Sequence, residues 1–221
     1  MNTLKLMTLA LVSACGAAHA GPVFELDAGE HYEGLSGITN TQMNELRGTI
    51  VFDEYQDFVV EGGTEGDGSG LLFEGTFLTR LVRSHDTGNL TFNFRFFNNN
   101  TDLSGEIKHI EITGFSGQRT RVEYRDEPGF GDFGAASASR SVDGDMLSFN
   151  FAQGFQDEDS SKFFFAMTDV AEYDFEMGNP IATIYLYSGE AVTVDIVAPI
   201  PTPGSLALLG TAGLLASRRR R

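Results

Sequence analysis

The sequence predicts an all-β domain, an antiparallel β-sandwich of jelly-roll-like or Ig-like kind, and three observations predict it. Apolar residues recur at every second position in several separate stretches, and clusters of Gly, Asp, Asn and Ser divide those stretches. No window of ten or more residues within the domain carries the 3.6-residue apolar stripe of a helix. Many antiparallel strands joined by short turns bury their apolar faces by packing sheet on sheet. A closed barrel is the alternative.

Taken in order, residues 39–46 are expected to form a short helix, and strands are expected at about 45–60 and 70–83. The clearest strand follows, where Leu90, Phe92, Phe94 and Phe96 alternate with Thr91, Asn93 and Arg95, so that one face is apolar and the other polar as far as Phe97. Strands at 106–115 and 119–124 come next. Leu147, Phe149 and Phe151 alternate with Ser148 and Asn150, and Val192, Val194 and Ile196 with Thr193 and Asp195. Between these, 162–168 and 180–187 complete the set. The 19 phenylalanines are read mainly as core, because the chain has no Trp and a single cysteine, Cys15, to share that burden. An aromatic platform for carbohydrate is the functional reading of the same count, which the absence of Trp weakens.

Both ends differ from the domain. Lys5 precedes an apolar run over residues 6–14, and Ala18-His19-Ala20 then offers small residues at Ala18 and Ala20. That is the pattern of a secretory signal helix cut by signal peptidase after Ala20. Val12-Ser13-Ala14-Cys15 also fits a lipoprotein signal anchored at Cys15. At the other end Pro199-Ile200-Pro201-Thr202-Pro203-Gly204 leads into an apolar run over 205–217, and Arg218, Arg219, Arg220 and Arg221 follow. As a helix, residues 204–217 measure roughly 21 Å, against about 30 Å of bilayer hydrocarbon, so spanning needs thinning or snorkelling arginines. The arginine cluster places that end on the cytoplasmic side. The expected organisation is a signal peptide at 1–20, an acidic domain at 21–198 and a hydrophobic tail at 199–221.

In this order of proline motif, short transmembrane stretch and basic end, residues 200–221 resemble the sorting tail of PEP-CTERM proteins, with Pro201-Thr202-Pro203 standing where the family carries Pro-Glu-Pro. The resemblance extends more weakly to the exported domains that bear such tails, through Thr87-Gly88-Asn89-Leu90-Thr91-Phe92, the turn from Ser139 to Gly144 before Leu147, and Met167-Thr168-Asp169. It implies an exosortase-like membrane protease as partner, acting at Pro201, Thr202 and Pro203. It also implies an inner-membrane intermediate that passes to the cell surface or the exterior. The family supplies no established activity for the domain.

Charge narrows the rest. The chain carries a net charge of -16, and removing both ends takes away Lys5 and the four terminal arginines but no acid, so the domain is five units more negative still. Such a surface repels nucleic acid and anionic lipid and suits cations or neutral polymers such as extracellular polysaccharide. Glu65 and Asp67 lie in a glycine-rich acidic loop, and Asp143 and Asp145 in a second acidic turn. These four are the candidate calcium ligands, although their spacing matches neither an EF-hand nor a β-roll repeat and a solvated hairpin loop is the simpler reading. His31, His85 and His109 show no metal-ligand spacing, and no G-x-S-x-G elbow is present. No catalytic residue is assigned, and the expectation is a surface protein without catalytic activity. A polysaccharide-binding module and a secreted hydrolase are the second and third readings.

Overall fold

The protein is described by a computed structural model that covers residues 23–62, 70–99, 103–152, 155, 159–174 and 180–200. Within those residues the chain is all-β. In order, β1 is Phe24–Glu25, β2 His31–Glu33, β3 Gly48–Glu61, β4 Leu71–Ser84, β5 Leu90–Asn98, β6 Ile107–Ile112 and β7 Thr120–Tyr124. Then come β8 Ser137–Arg140, β9 Leu147–Asn150, β10 Phe164–Thr168, β11 Tyr173–Asp174, β12 Ile181–Leu186, β13 Ala191–Asp195 and β14 Ala198–Pro199. The first six-stranded sheet has the order β1-β7-β10-β5-β4-β3, the second β13-β12-β6-β9-β8-β2, and β11 pairs with β14 as a separate ribbon. All strand pairings are antiparallel, and neither large sheet closes into a barrel.

Alternation dictates what each face buries. In β5, Phe92, Phe94 and Phe96 point to the core and are at most 1% exposed, as the sequence pattern requires. Phe73, Phe77 and Leu81 of β4 join them from the neighbouring strand, and Ile110, Ile112, Phe149, Ala182 and Ile184 come from the second sheet. Residues of both sheets therefore share one buried cluster. Phe164 of β10 is its meeting point, with ring centroids 5.9 Å from Phe94, 5.7 Å from Phe96, 5.0 Å from Phe149 and 5.6 Å from Phe151. These tilted and edge-on contacts are the arrangement that aromatic quadrupoles favour.

Two expectations change. The helix at 39–46 is a pair of turns ending in the 3-10 segment Asn44–Leu46, because Met43 is extended (φ -135, ψ 104) and no side chain caps the segment. Strands β2 and β8 arise where no alternation announced them. The stretch Ser-Ala-Ser-Arg of β8 is held in place by pairing with β9 on one side and β2 on the other, and Ala138 is fully buried. The two expected flanking helices, with Ala18, Ala20, Pro201, Thr202, Pro203 and the terminal arginines, lie outside the described residues. Among the described residues no helix is long and apolar enough to cross a membrane.

Truncating Phe164 to Ala is expected to cost about 3–5 kcal/mol, the range for a large ring removed from a packed core. Val142, 88% exposed, serves as the control, with Val142→Ala expected within about 0.5 kcal/mol of the parent. Urea denaturation of the two variants checks both.

Candidate functional site

The outer face of the first sheet divides into a covered half and an open half. Over β7 and β10 lies a strap, residues 34–47, that places Ile38 and Leu46 on Phe165 and Met167 as a second small core, flanked by Met43 and Val23. Polar contacts fasten the strap at several points. The fully buried carboxylate of Glu123 accepts hydrogen bonds from the backbone N–H groups of Gly37 (3.1 Å), Ser36 (3.3 Å) and Tyr124 (3.0 Å). Asn40 N–H donates to Glu127 Oε1 at 2.7 Å, and Arg121 pairs with Glu45. Burial pushes the Glu123 carboxyl above the usual carboxylate range, and the three N–H donors oppose that shift. Gly37, with φ +79, sits where a Cβ would lie 2.5 Å from the Tyr124 ring, so the strap can approach β7 this closely only with glycine there.

Beyond the strap, rings and guanidinium groups alternate across β3, β4, β5 and the residue preceding β10. Tyr55, 58% exposed, stacks on Phe97 at 6.3 Å between centroids, and the Arg95 guanidinium lies 4.4 Å from the Phe97 ring centre. Arg95 is also 5.5 Å from the centre of Phe163, over which Arg80 lies at 5.2 Å. Phe163 meets Phe130 edge-on at 5.4 Å, and Arg125 stands 5.3 Å from the Phe130 ring. Cation–π contacts of this kind hold planar groups parallel and partly dry. Asp53 grips Arg80 with two bonds of 3.0 and 2.8 Å, and Asp57 accepts from Thr76 at 2.7 Å. Arg95 reaches Ser160 Oγ, its Nε has no partner among the described residues, and burial lowers its pKa.

Where this ladder meets the strap there is a cavity of about 430 Å³. Its apolar lining includes Leu46, Ile50, Val82, Phe130 and Phe163, and its polar lining is Asn40, Arg47, Arg80, His85, Asn93 and Arg125. No carboxylate is among the lining residues. Arg80 and Arg125 are oriented by Asp53 and Glu127, and Arg47 donates through Nε to the Asn40 carbonyl at 2.9 Å.

Of the four candidate calcium ligands, Glu65 and Asp67 lie outside the described residues. Asp143 and Asp145 are engaged in their own turn. Asp143 Oδ1 accepts from the Ser141 hydroxyl and from Asp145 N–H (3.1 Å), and these two bonds, the hydroxyl first, hold its carboxyl below the usual range. Asp145 Oδ1 accepts from Ser116 N–H at 3.2 Å. The turn also presents the Gly144 carbonyl to Arg140, a buried guanidinium that donates besides to the carbonyls of Leu26, Phe115 and Gln118. Among the described residues no group of three or more His, Cys, Asp or Glu is placed to hold a metal ion. Sequence reasoning missed the ladder and the cavity. The one sign of them was that the polar face of the strand at 90–97 ends in Phe97.

The raised pKa of Glu123 gives a pH dependence with a definite sign. Its folded value lies above the unfolded value of about 4.3, so the native state binds this proton more tightly. The stability it contributes is full below the unfolded pKa and is lost as pH rises through the folded one. Urea denaturation between pH 4 and 8 is expected to show the parent gaining stability relative to Glu123→Gln as pH falls; a difference that does not vary with pH would contradict the shift. Comparison of the chain with protein-family models, with curated proteins and with solved structures finds no match in any of the three.

Proposed function

We propose that this is an exported, non-catalytic cell-surface or extracellular-matrix protein whose β domain holds polysaccharide on the outer face of its first sheet. In this reading the C-terminal tail is the sorting signal for an exosortase-type membrane protease. The observation that supports the polysaccharide part is the ladder of Tyr55, Phe97, Arg95, Phe163 and Arg80. A pyranose ring has apolar C–H faces and a rim of hydroxyls. Ring faces and guanidinium planes accommodate the first, and Asp53, Asp57 and Thr76 beside them accommodate the second.

The two large sheets, with their shared core, are read as the layers of a sandwich. The chain crosses from one sheet to the other after β1, β2, β5, β6, β7 and β9, and after β10 by way of β11, which favours the jelly-roll-like form over the Ig-like one. Delivery rests on the residues of the two ends, above all the order of Pro201-Thr202-Pro203, apolar stretch and arginine cluster. Calcium, if it assists, would enter through the acidic loop that holds Glu65 and Asp67. The hydrolase reading requires two carboxyls facing each other across a cleft.

A glycan array probed with the full chain is expected to show polysaccharide binding that Tyr55→Ala weakens about tenfold, or 1.4 kcal/mol, without altering the circular dichroism spectrum. Binding to no glycan, with or without chelator, would overturn the polysaccharide part. Terminal peptide mapping of the native protein tests delivery separately. A chain beginning at Gly21 and ending near Pro201 is expected, and Arg221 retained on surface-located protein would overturn sorting by cleavage.

A further inference from the structure

The strap-side cavity gathers basic side chains, in a chain with 31 acidic and 15 basic residues. Three arginines and a histidine line it, and no acid does. Two of the arginines keep donors in reserve. Arg80 spends Nε and Nη2 on Asp53, leaving Nη1 without a partner among the described residues, and Arg47 uses only Nε, on a carbonyl. Arg47 makes no ion pair among the described residues, and it is exposed at the cavity mouth. Asn93, only 2% exposed, turns its amide nitrogen to the backbone carbonyls of Arg80 and Thr91, which fixes the side chain against the cavity floor. Opposed to these polar groups are the apolar surfaces of Leu46, Ile50, Val82 and Phe163.

Forked donors with a free N–H match a carboxylate, and an apolar wall beside them matches the face of a sugar ring. The volume falls within the range of roughly 300–1,000 Å³ typical of ligand pockets. Resting on the polysaccharide reading above, we infer that this cavity takes a carboxylate-bearing sugar unit, a uronic acid residue, with its carboxylate on Arg47 and Arg80 and its ring against the apolar side that the exposed Ile50 presents. The surrounding charge then selects the polymer. Outside the cavity the domain is strongly anionic, and repulsion acts over the Debye length of about 8 Å at physiological salt. A polymer with a carboxylate on every sugar would meet that repulsion along the open face. A mostly neutral chain with an isolated or terminal uronate would not, and its neutral units would lie along the ladder that leads from the cavity to Tyr55.

The test is isothermal titration of the full chain with one oligosaccharide in two forms, a neutral glucan segment ending in glucuronate and the same molecule after its carboxyl has been reduced to the alcohol. The acidic form is expected to bind at least tenfold more tightly. Arg47→Met should reduce that preference severalfold without altering the circular dichroism spectrum, whereas Tyr55→Ala should weaken both forms alike. Equal affinity for the two forms would overturn the uronate site and leave the polysaccharide reading standing. Binding of neither would overturn both. Tighter binding of an oligoglucuronate than of the singly charged form would overturn the selection of sparsely charged chains.

Discussion

Phe164 lies where rings of both sheets converge, and its inward orientation constrains what happens on either side of it. In an extended strand successive side chains point to opposite faces, so turning Phe164 into the core sends Phe163 and Phe165 outward. Neither is left in water. Phe165 goes under the strap, against Ile38 and Leu46, while Phe163 becomes the central ring of the guanidinium ladder and the floor of the cavity. Three consecutive phenylalanines thus serve three environments, and the inter-sheet contact fixes the position of the other two.

The strap converts one sheet face into two surfaces of different character. On its own an outward Phe165 or Met167 would be an exposed apolar patch, and the strap removes it at the cost of burying the Glu123 carboxylate. Three backbone N–H groups offset that burial, and because they belong partly to the strap, the carboxylate also determines where the strap lies. Its far end, Leu46 and Arg47, then becomes a wall of the cavity. One buried acid therefore sets both the closure of one half of the face and the shape of the site on the other.

Much of the architecture was legible in the sequence where a single face is apolar. Leu90, Phe92, Phe94 and Phe96 announced β5, and β9 and β13 followed from the same period. Where pairing rather than pattern decides, as in β8 with its serines and alanine, nothing local marks a strand. The expected helix at 39–46 failed because Met43 and Leu46 satisfy their burial against another element, Phe165 and Met167, which no window of sequence contains. The ladder was hidden for a related reason: Tyr55, Phe97, Arg95, Phe163 and Arg80 come from four separate stretches and meet only through the register of β3, β4, β5 and β10. The phenylalanine count was read correctly as core for most rings, yet the few that build the ladder were indistinguishable from the rest by composition.

The ribbon of β11 and β14 also sets a mechanical condition on the chain's end. Tyr173 pairs with Pro199 and Asp174 with Ala198, and Ile200 N–H donates to the Glu172 carbonyl at 3.0 Å, so the folded body grips the chain as far as residue 200. A protease acting at Pro201, Thr202 or Pro203 would work on a leash of at most three residues, about 10 Å when fully extended. An enzyme whose cleft lies deeper than that must first peel β14 away from β11. In the proposed sorting the short ribbon would act as a latch, and the ease of undoing its few hydrogen bonds would set how readily the domain is released.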